Sequence, residues 1–229
     1  MDTVEFLSSP LLSAVPGLTH GFGKRIAGTR AVARNAARTV LASAGEVYFL
    51  RQVHGATIVT TPWSEPPDAD GSFTDSAGVI LAIETADCLP VLIVDPVKRR
   101  VAAAHAGWRG TVAHVAQRAA LALIATGSRA EDLLASLGPA MGACCYEVGP
   151  DVEDAFGPEG ARFFVPGRAE RKNLDKVAAN RAQLEAAGLK PTNIDSLNLC
   201  TRDREDMFFS YRRDGANAGR MISVVGFSI

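Results

Sequence analysis

Three short segments of this 229-residue chain set a borderline or soft metal ligand beside glycine or proline in an otherwise apolar run. They are Gln52-Val53-His54-Gly55, Thr85-Ala86-Asp87-Cys88-Leu89-Pro90 and His105-Ala106-Gly107-Trp108-Arg109-Gly110. Loops at strand ends are where a rigid scaffold presents reactive groups, and glycine lets the backbone approach a ligand closely. Two imidazoles and one thiolate suit Zn²⁺ and leave the fourth tetrahedral position for water or substrate, the pattern of a catalytic rather than a structural ion. Zinc lowers the pKa of bound water to about 7, which supplies hydroxide at neutral pH without a strong protein base. His54, Cys88 and His105 lie 34 and 17 residues apart. No compact motif such as HExxH or CxxC joins them, so the fold has to bring them together.

The same residues allow two other readings. Cys88 is a candidate nucleophile activated by His54 or His105, with Asp87 or Asp70 as the orienting carboxylate; a thiolate bound to zinc is not free to attack, so metal content separates the two. In the plainest reading His54 is packed, Cys88 is a buried inert thiol and His105 bonds to backbone. Adjacent Cys144 and Cys145 follow Leu137-Gly138-Pro139 in a glycine-rich turn and are expected to be structural, and His114 is expected to be a helix-surface or packing residue. Positive charge for an anionic ligand is available at Arg25, Arg109, Arg212-Arg213 and Arg220. A guanidinium beside a cleft binds phosphate bidentately, which favours arginines flanked by glycine and aromatics, as in the segment Phe208 to Gly215.

Composition narrows the classes. Twenty-four basic against 25 acidic side chains give a net charge of −1, so no global field draws the chain to nucleic acid or an anionic membrane. With 47% apolar residues the chain can bury a sizeable core. Met1-Asp2-Thr3-Val4-Glu5 lacks the basic start of an export signal, and no apolar stretch approaches a membrane span. A cytoplasmic protein with its four cysteines reduced is the expectation. The four histidines, His20, His54, His105 and His114, are far too few for the copper sites of a blue multicopper oxidase.

Positioning these residues falls to a mixed α and β pattern. Strands are expected at 47–50, 57–61, 79–84, 90–95, 101–105, 133–137, 194–199 and 221–227, several apolar throughout and so covered on both faces. Asp95-Pro96-Val97-Lys98 reads as the turn of an antiparallel hairpin. The stretch 61–75, rich in Pro, Asp, Ser and Gly, reads as a long surface loop. Helices are expected at 111–125, capped by Thr111 and stopped at Gly127; at about 174–187, capped by Asn173 and ended by Gly188; and around 30–42.

Together these segments resemble one family, the laccase-domain proteins, also called polyphenol oxidoreductases, purine nucleoside phosphorylases or peptidoglycan editing factors. The resemblance rests on His20-Gly21-Phe22, the three ligand-bearing segments, Gly138-Pro139 leading to Cys144-Cys145-Tyr146-Glu147-Val148-Gly149, and Phe209-Ser210-Tyr211-Arg212-Arg213 with Gly219-Arg220, all in family order. It implies an α+β fold, a single layered α/β/β/α domain over residues 1–229 with a deep cleft. It implies a zinc ion, or alternatively copper, on one His from each His motif and the Cys between them, here His54, Cys88 and His105, which are then also the catalytic residues. The implied activity is phosphorolysis of adenosine, inosine and methylthioadenosine to a base and ribose 1-phosphate, with deamination of adenosine alongside. The expected partners are a small-molecule nucleoside and phosphate, with Arg25, Arg109 and Arg213 as candidates for phosphate. Lys24 to Gly28 departs from the family pattern, which bears on the shape of the Arg25 loop. The H-x-E and P-C-x-x-C signature of zinc nucleoside deaminases is absent. A hydrolase editing a muramyl amino-acid nucleotide is the alternative enzyme, phenol oxidation a copper-dependent side activity. A binding module with a structural zinc is the rival outside catalysis, disfavoured by three ligands where structural sites have four.

Overall fold

A computed structural model describes residues 4–168 and 171–229; part of the N-terminal segment read above, residues 1–3, lies outside the described residues. The N-terminal part forms β1 (Phe6–Leu7), α1 (Pro10–Ser13), β2 (Leu18–Gly23), α2 (Arg30–Leu41), β3 (Glu46–Phe49), β4 (Ile58–Thr60) and β5 (Gly71–Thr74). The middle forms β6 (Val79–Thr85), β7 (Leu89–Asp95), β8 (Arg100–Ala106), α3 (Trp108–Val112), α4 (Val115–Ala125), β9 (Leu134–Leu137) and β10 (Glu147–Val148). The rest forms α5 (Pro150–Gly160), β11 (Phe164–Pro166), β12 (Lys172–Leu174), α6 (Lys176–Ala186), β13 (Ile194–Ser196), α7 (Tyr211–Asp214) and β14 (Met221–Phe227).

Two large sheets carry the architecture, one ordered β1-β2-β14-β6-β3 and the other β13-β9-β7-β8-β5-β4. Alternation along each strand divides its side chains between two cores. Leu81 and Ile83 of β6 and Val225 and Phe227 of β14 meet Leu92, Val94, Val101 and Ala103 between the sheets. Ile80, Ala82, Ile222 and Val224 point the other way onto Ala33, Ala37 and Leu41 of α2. On the far side, Val91, Ile93, Ala102 and Ala104 pack on Ala116, Ala119, Ala120 and Leu123 of α4 and Leu184 of α6. The result is the α/β/β/α layering that the resemblance implies, and it explains why the central strands read as unbroken apolar runs.

The 90–95 and 101–105 strands do form an antiparallel pair; the Asp95 Oδ1 closes their turn by accepting from Val97 N and Lys98 N, both at 2.9 Å. Four expectations need correction. The stretch 61–75 is not loop throughout, because β5 inside it pairs with both β4 and β8. The helix expected at 111–125 is two helices, α3 and α4, broken at His114, which takes a left-handed φ of 62°. Thr111 is therefore no cap; its hydroxyl donates to the Gly107 carbonyl one turn back. Asp175 rather than Asn173 caps α6, its carboxylate accepting from Ala178 N at 2.8 Å. Strand β13 ends at Ser196, three residues short of the expected limit. No helix among the described residues is long and apolar enough to cross a membrane.

Candidate active site and metal centre

Strand register, not sequence proximity, brings His54, Cys88 and His105 together. Where β6 leaves one sheet and β7 enters the other, the short link Ala86–Cys88 places Cys88 just before Leu89, which pairs with Ala106; Pro90 pairs with His105. His54 arrives from the far side, in the loop after β3, the strand parallel to β6 with Phe49 opposite Ala82. That register also sets Gln52 beside Glu84, and the Gln52 amide mimics a further strand residue: its Nε2 donates to the Glu84 carbonyl and its Oε1 accepts from the Glu84 N–H, both at 2.8 Å. One nitrogen of His54, Sγ of Cys88 and one nitrogen of His105 then lie within 4.8 Å of one another, with the two rings edge-on at 4.9 Å between centroids.

Asp70 organises this cluster from beneath. Fully buried, its carboxylate accepts from the backbone N–H groups of Val53 (3.2 Å), His54 (2.9 Å) and Gly55 (2.6 Å) and bonds His105 Nδ1 at 2.7 Å. It thereby folds the loop that holds His54 at a left-handed φ of 61°. It also fixes the orientation of His105, leaving Nε2 on the side of Cys88 and His54; a carboxylate on the outer ring nitrogen is usual for metal-bound histidine. Gly107 completes the fit. A Cβ there would stand 3.2 Å from His54 Cδ2 and 3.3 Å from Cys88 Sγ, so a side chain at this turn would press on both. Donor types, their convergence and the carboxylate behind one imidazole all fit an ion such as zinc.

The charges are coupled. Burial would raise the Cys88 thiol, but the positive charge and hydrogen bond of His105, the hydrogen bond of His54 and the charge of Lys176 hold it well below its ordinary value. Burial would lower His105, yet the Cys88 thiolate and the Asp70 carboxylate push it up to about 9. Asp70 follows the same logic: burial works against its ionisation, and its bonds to His105 and the Gly55 N–H outweigh that and keep it low.

These groups floor a cleft of about 530 Å³, lined also by Arg30, Glu84, Met141, Tyr146, Lys176, Tyr211, Arg212 and Arg220. Asp87 ties the walls to the floor. Left-handed at φ 84°, it accepts through its carboxylate from Thr201 Oγ1 (2.7 Å), Ser210 Oγ (3.1 Å) and Arg212 N (2.8 Å). Its carbonyl accepts from Met141 N at 3.0 Å and Lys176 Nζ at 2.6 Å. Of the two carboxylates weighed as orienting groups, Asp70 therefore meets a histidine and Asp87 holds loops. Lys176 is buried in the first turn of α6 with its ammonium 4.2 Å from the Tyr146 ring centroid, and burial pulls its pKa down. Sequence reasoning passed over it. The available signal was a cation at the helix end where the macrodipole disfavours one.

The three arginines named for phosphate are placed elsewhere. Arg213 spends its guanidinium on Asp214 and on the carbonyls of Thr201, Arg202 and Phe208. Arg25 donates to the Glu205 carbonyl and lies over the Phe209 ring. Arg109 stacks on Trp108. None of them lines the cleft, because on the single-turn α7 and the neighbouring loops it is Arg212, and from β14's leading edge Arg220, that turn inward. Two of the four imidazoles are also remote: His20 Nε2 accepts from Ser9 N at 3.1 Å, and His114 is an exposed helix junction.

The family model described as multi-copper polyphenol oxidoreductase laccase matches residues 25–228. A protein of Deinococcus radiodurans named purine nucleoside phosphorylase is 40% identical over 200 residues, covering 86% of this chain and 78% of that protein. A protein of an unknown prokaryotic organism named adenosine deaminase RL5 is 37% identical over 157 residues, 66% of this chain and 59% of its own. The crystal structure of YlmD from Geobacillus stearothermophilus superposes with a TM-score of 0.87 at 29% identity, covering 100% of both chains.

Proposed function

The chain belongs to the multi-copper polyphenol oxidoreductase laccase family, and from that membership and the cleft we propose a metal-dependent purine nucleoside phosphorylase acting on adenosine, inosine and methylthioadenosine. The observation that carries this reading is the convergence of His54, Cys88 and His105 on the floor of a cationic, aromatic cleft. These three side chains hold the ion, zinc by donor set with copper as the alternative, and are the catalytic residues. Bound there, the ion supplies a Lewis-acid centre inside the cleft.

The chain's own residues supply the rest. Asp70 keeps His105 in one tautomer and the His54 loop in one shape, so the donors need no rearrangement on binding. Arg212 and Arg220 bring charge for a phosphate dianion; among the described residues Arg212 donates from its guanidinium only to the Glu147 carbonyl, through Nη1 at 3.0 Å, which leaves its other edge for bidentate contact. The exposed Tyr211 ring in the cleft lining offers a face for a purine. Lys176, bonded to the Asp87 carbonyl, puts a positive charge in the cleft lining to oppose the negative charge of a departing base. Arg30, paired with Glu84, shapes the rim.

Adenosine deamination is the second reading, supported by the relative of that name. The two differ in the nucleophile, and phosphate separates them. Zinc-loaded protein should convert inosine to hypoxanthine and ribose 1-phosphate only when phosphate is present, and adenosine to inosine and ammonia without it. Hypoxanthine release independent of phosphate, or equal rates from wild type and Cys88→Ala, overturns the phosphorylase reading.

A further inference from the structure

Away from the cleft floor, Sγ of Cys144, Cys145 and Cys200 and a carboxylate oxygen of Asp203 also lie within 4.8 Å of one another. They come from two turns, one after β9 and one after β13, locked side by side by the Ala140–Cys200 bridge. Ala140 N donates to the Leu199 carbonyl at 3.2 Å and Thr201 N to the Ala140 carbonyl at 3.0 Å. Asp203 faces both adjacent thiols: its Oδ2 accepts from Cys144 at 3.2 Å and its Oδ1 from Cys145 at 3.0 Å. Gly142 N donates to Cys200 Sγ at 3.4 Å. A Cβ at Gly142 would stand 3.4 Å from Cys144 Sγ and 3.9 Å from Cys200 Sγ, so a bulkier residue there would occupy the space among the sulfurs.

The charge balance suits a cation. Three thiolates and a carboxylate around a divalent ion carry two net negative charges, and Arg168, Arg202 and Arg212 line the adjoining depression together with Cys144 and Cys145. Three sulfurs exclude hard ions, and four protein donors close a tetrahedron.

We propose that Cys144, Cys145, Cys200 and Asp203 form a second, structural site for a thiophilic divalent cation of the zinc class. On binding, three S–H protons pass to solvent while three sulfur–metal bonds and one oxygen–metal bond form; no oxidant takes part. The ion clips the turn carrying Met141 and Tyr146 to the turn leading to Thr201 and Ser210, whose hydroxyls hold Asp87. It therefore braces two walls of the cleft without touching its floor.

The test is zinc content per chain of reduced, zinc-loaded protein freed of unbound metal, with cobalt(II) uptake read through its thiolate charge-transfer band. Wild type should hold two ions, and Cys88→Ala and the double variant Cys144→Ser/Cys200→Ser one each. The Cys88→Ala protein should keep most of the band and lose melting temperature when a chelator is added. Asp203→Asn, which leaves every sulfur in place, should weaken the second ion at least tenfold. No metal in Cys88→Ala, an unchanged two ions in the double variant, or a Cys200 disulfide that yields no zinc uptake after reduction overturns the proposal.

Discussion

Both thiol clusters hang from strand ends, and they differ in what the sulfur faces. Cys88 looks at two imidazoles and a lysine, and the thiolate is favoured. Cys144 and Cys145 look at a carboxylate, and burial together with bonding to Asp203 pushes their pKa up. The first cluster has three donors, a buried aspartate behind one of them and a cleft in front. The second has four donors on two turns at the surface. The number of donors and the carboxylate behind a histidine, more than the presence of sulfur, separate a centre suited to chemistry from one suited to bracing.

Cys88→Ala should have the largest effect, lowering phosphorolysis by more than about 100-fold, beyond the cost of losing a partner behind a ligand, while leaving the fold's melting transition in place. Asp70→Asn comes next. It keeps the shape but loses the charge that orients His105, and a loss of about 10–100-fold in metal affinity or activity is expected, checked by metal titration and steady-state kinetics; an unchanged affinity would remove Asp70 from the account.

Packing gives a smaller effect of a different kind. A Cβ on Gly138 would fall 2.2 Å from Phe22 Cδ1 and 2.7 Å from Pro90 Cγ, so Gly138→Ala should cost about 1–3 kcal/mol in denaturant unfolding. This accounts for the His20-Gly21-Phe22 and Gly138-Pro139 segments as packing partners between the sheets, outside the chemistry.

The smallest effect is at Glu84, a buried carboxylate in the cleft lining. Burial would raise the Glu84 carboxyl, but bonds from Arg30 and Arg34 outweigh it and hold its pKa below the ordinary value. A depressed folded pKa means stability that is present above the unfolded value, about 4.3, and lost as pH falls through the folded one. Glu84→Gln should therefore flatten the acid limb of a stability-against-pH curve; a variant with an unchanged acid limb would assign that slope to other carboxylates.

Sequence patterning served where one physical rule dominates. The runs at 79–85, 89–95, 100–106 and 221–227 are strands buried on both faces, and their apolar continuity shows it. It failed where tertiary contacts decide. Gly71-Ser72-Phe73-Thr74 has too little pattern to outweigh its Pro- and Asp-rich surroundings, and only pairing with β4 and β8 makes it a strand. The apolar spacing of 111–125 continues across His114, so the break is invisible to periodicity. Residue types marked His54, Cys88 and His105 as candidate ligands, but their convergence depends on register across two sheets. Arg212 and Arg213 are neighbours in one short turn, and which of them faces the cleft is decided by Asp214 and the carbonyls that capture Arg213. Cys144 and Cys145 read as a structural turn because their partners Cys200 and Asp203 are more than 50 residues away.

X-ray absorption at the zinc edge of the loaded Cys144→Ser/Cys200→Ser protein isolates the cleft centre. Two imidazole nitrogens at about 2.0–2.1 Å and one sulfur at about 2.3 Å are expected, with one light, exchangeable ligand as the fourth donor. A first shell without sulfur, or one made of protein donors alone, contradicts this.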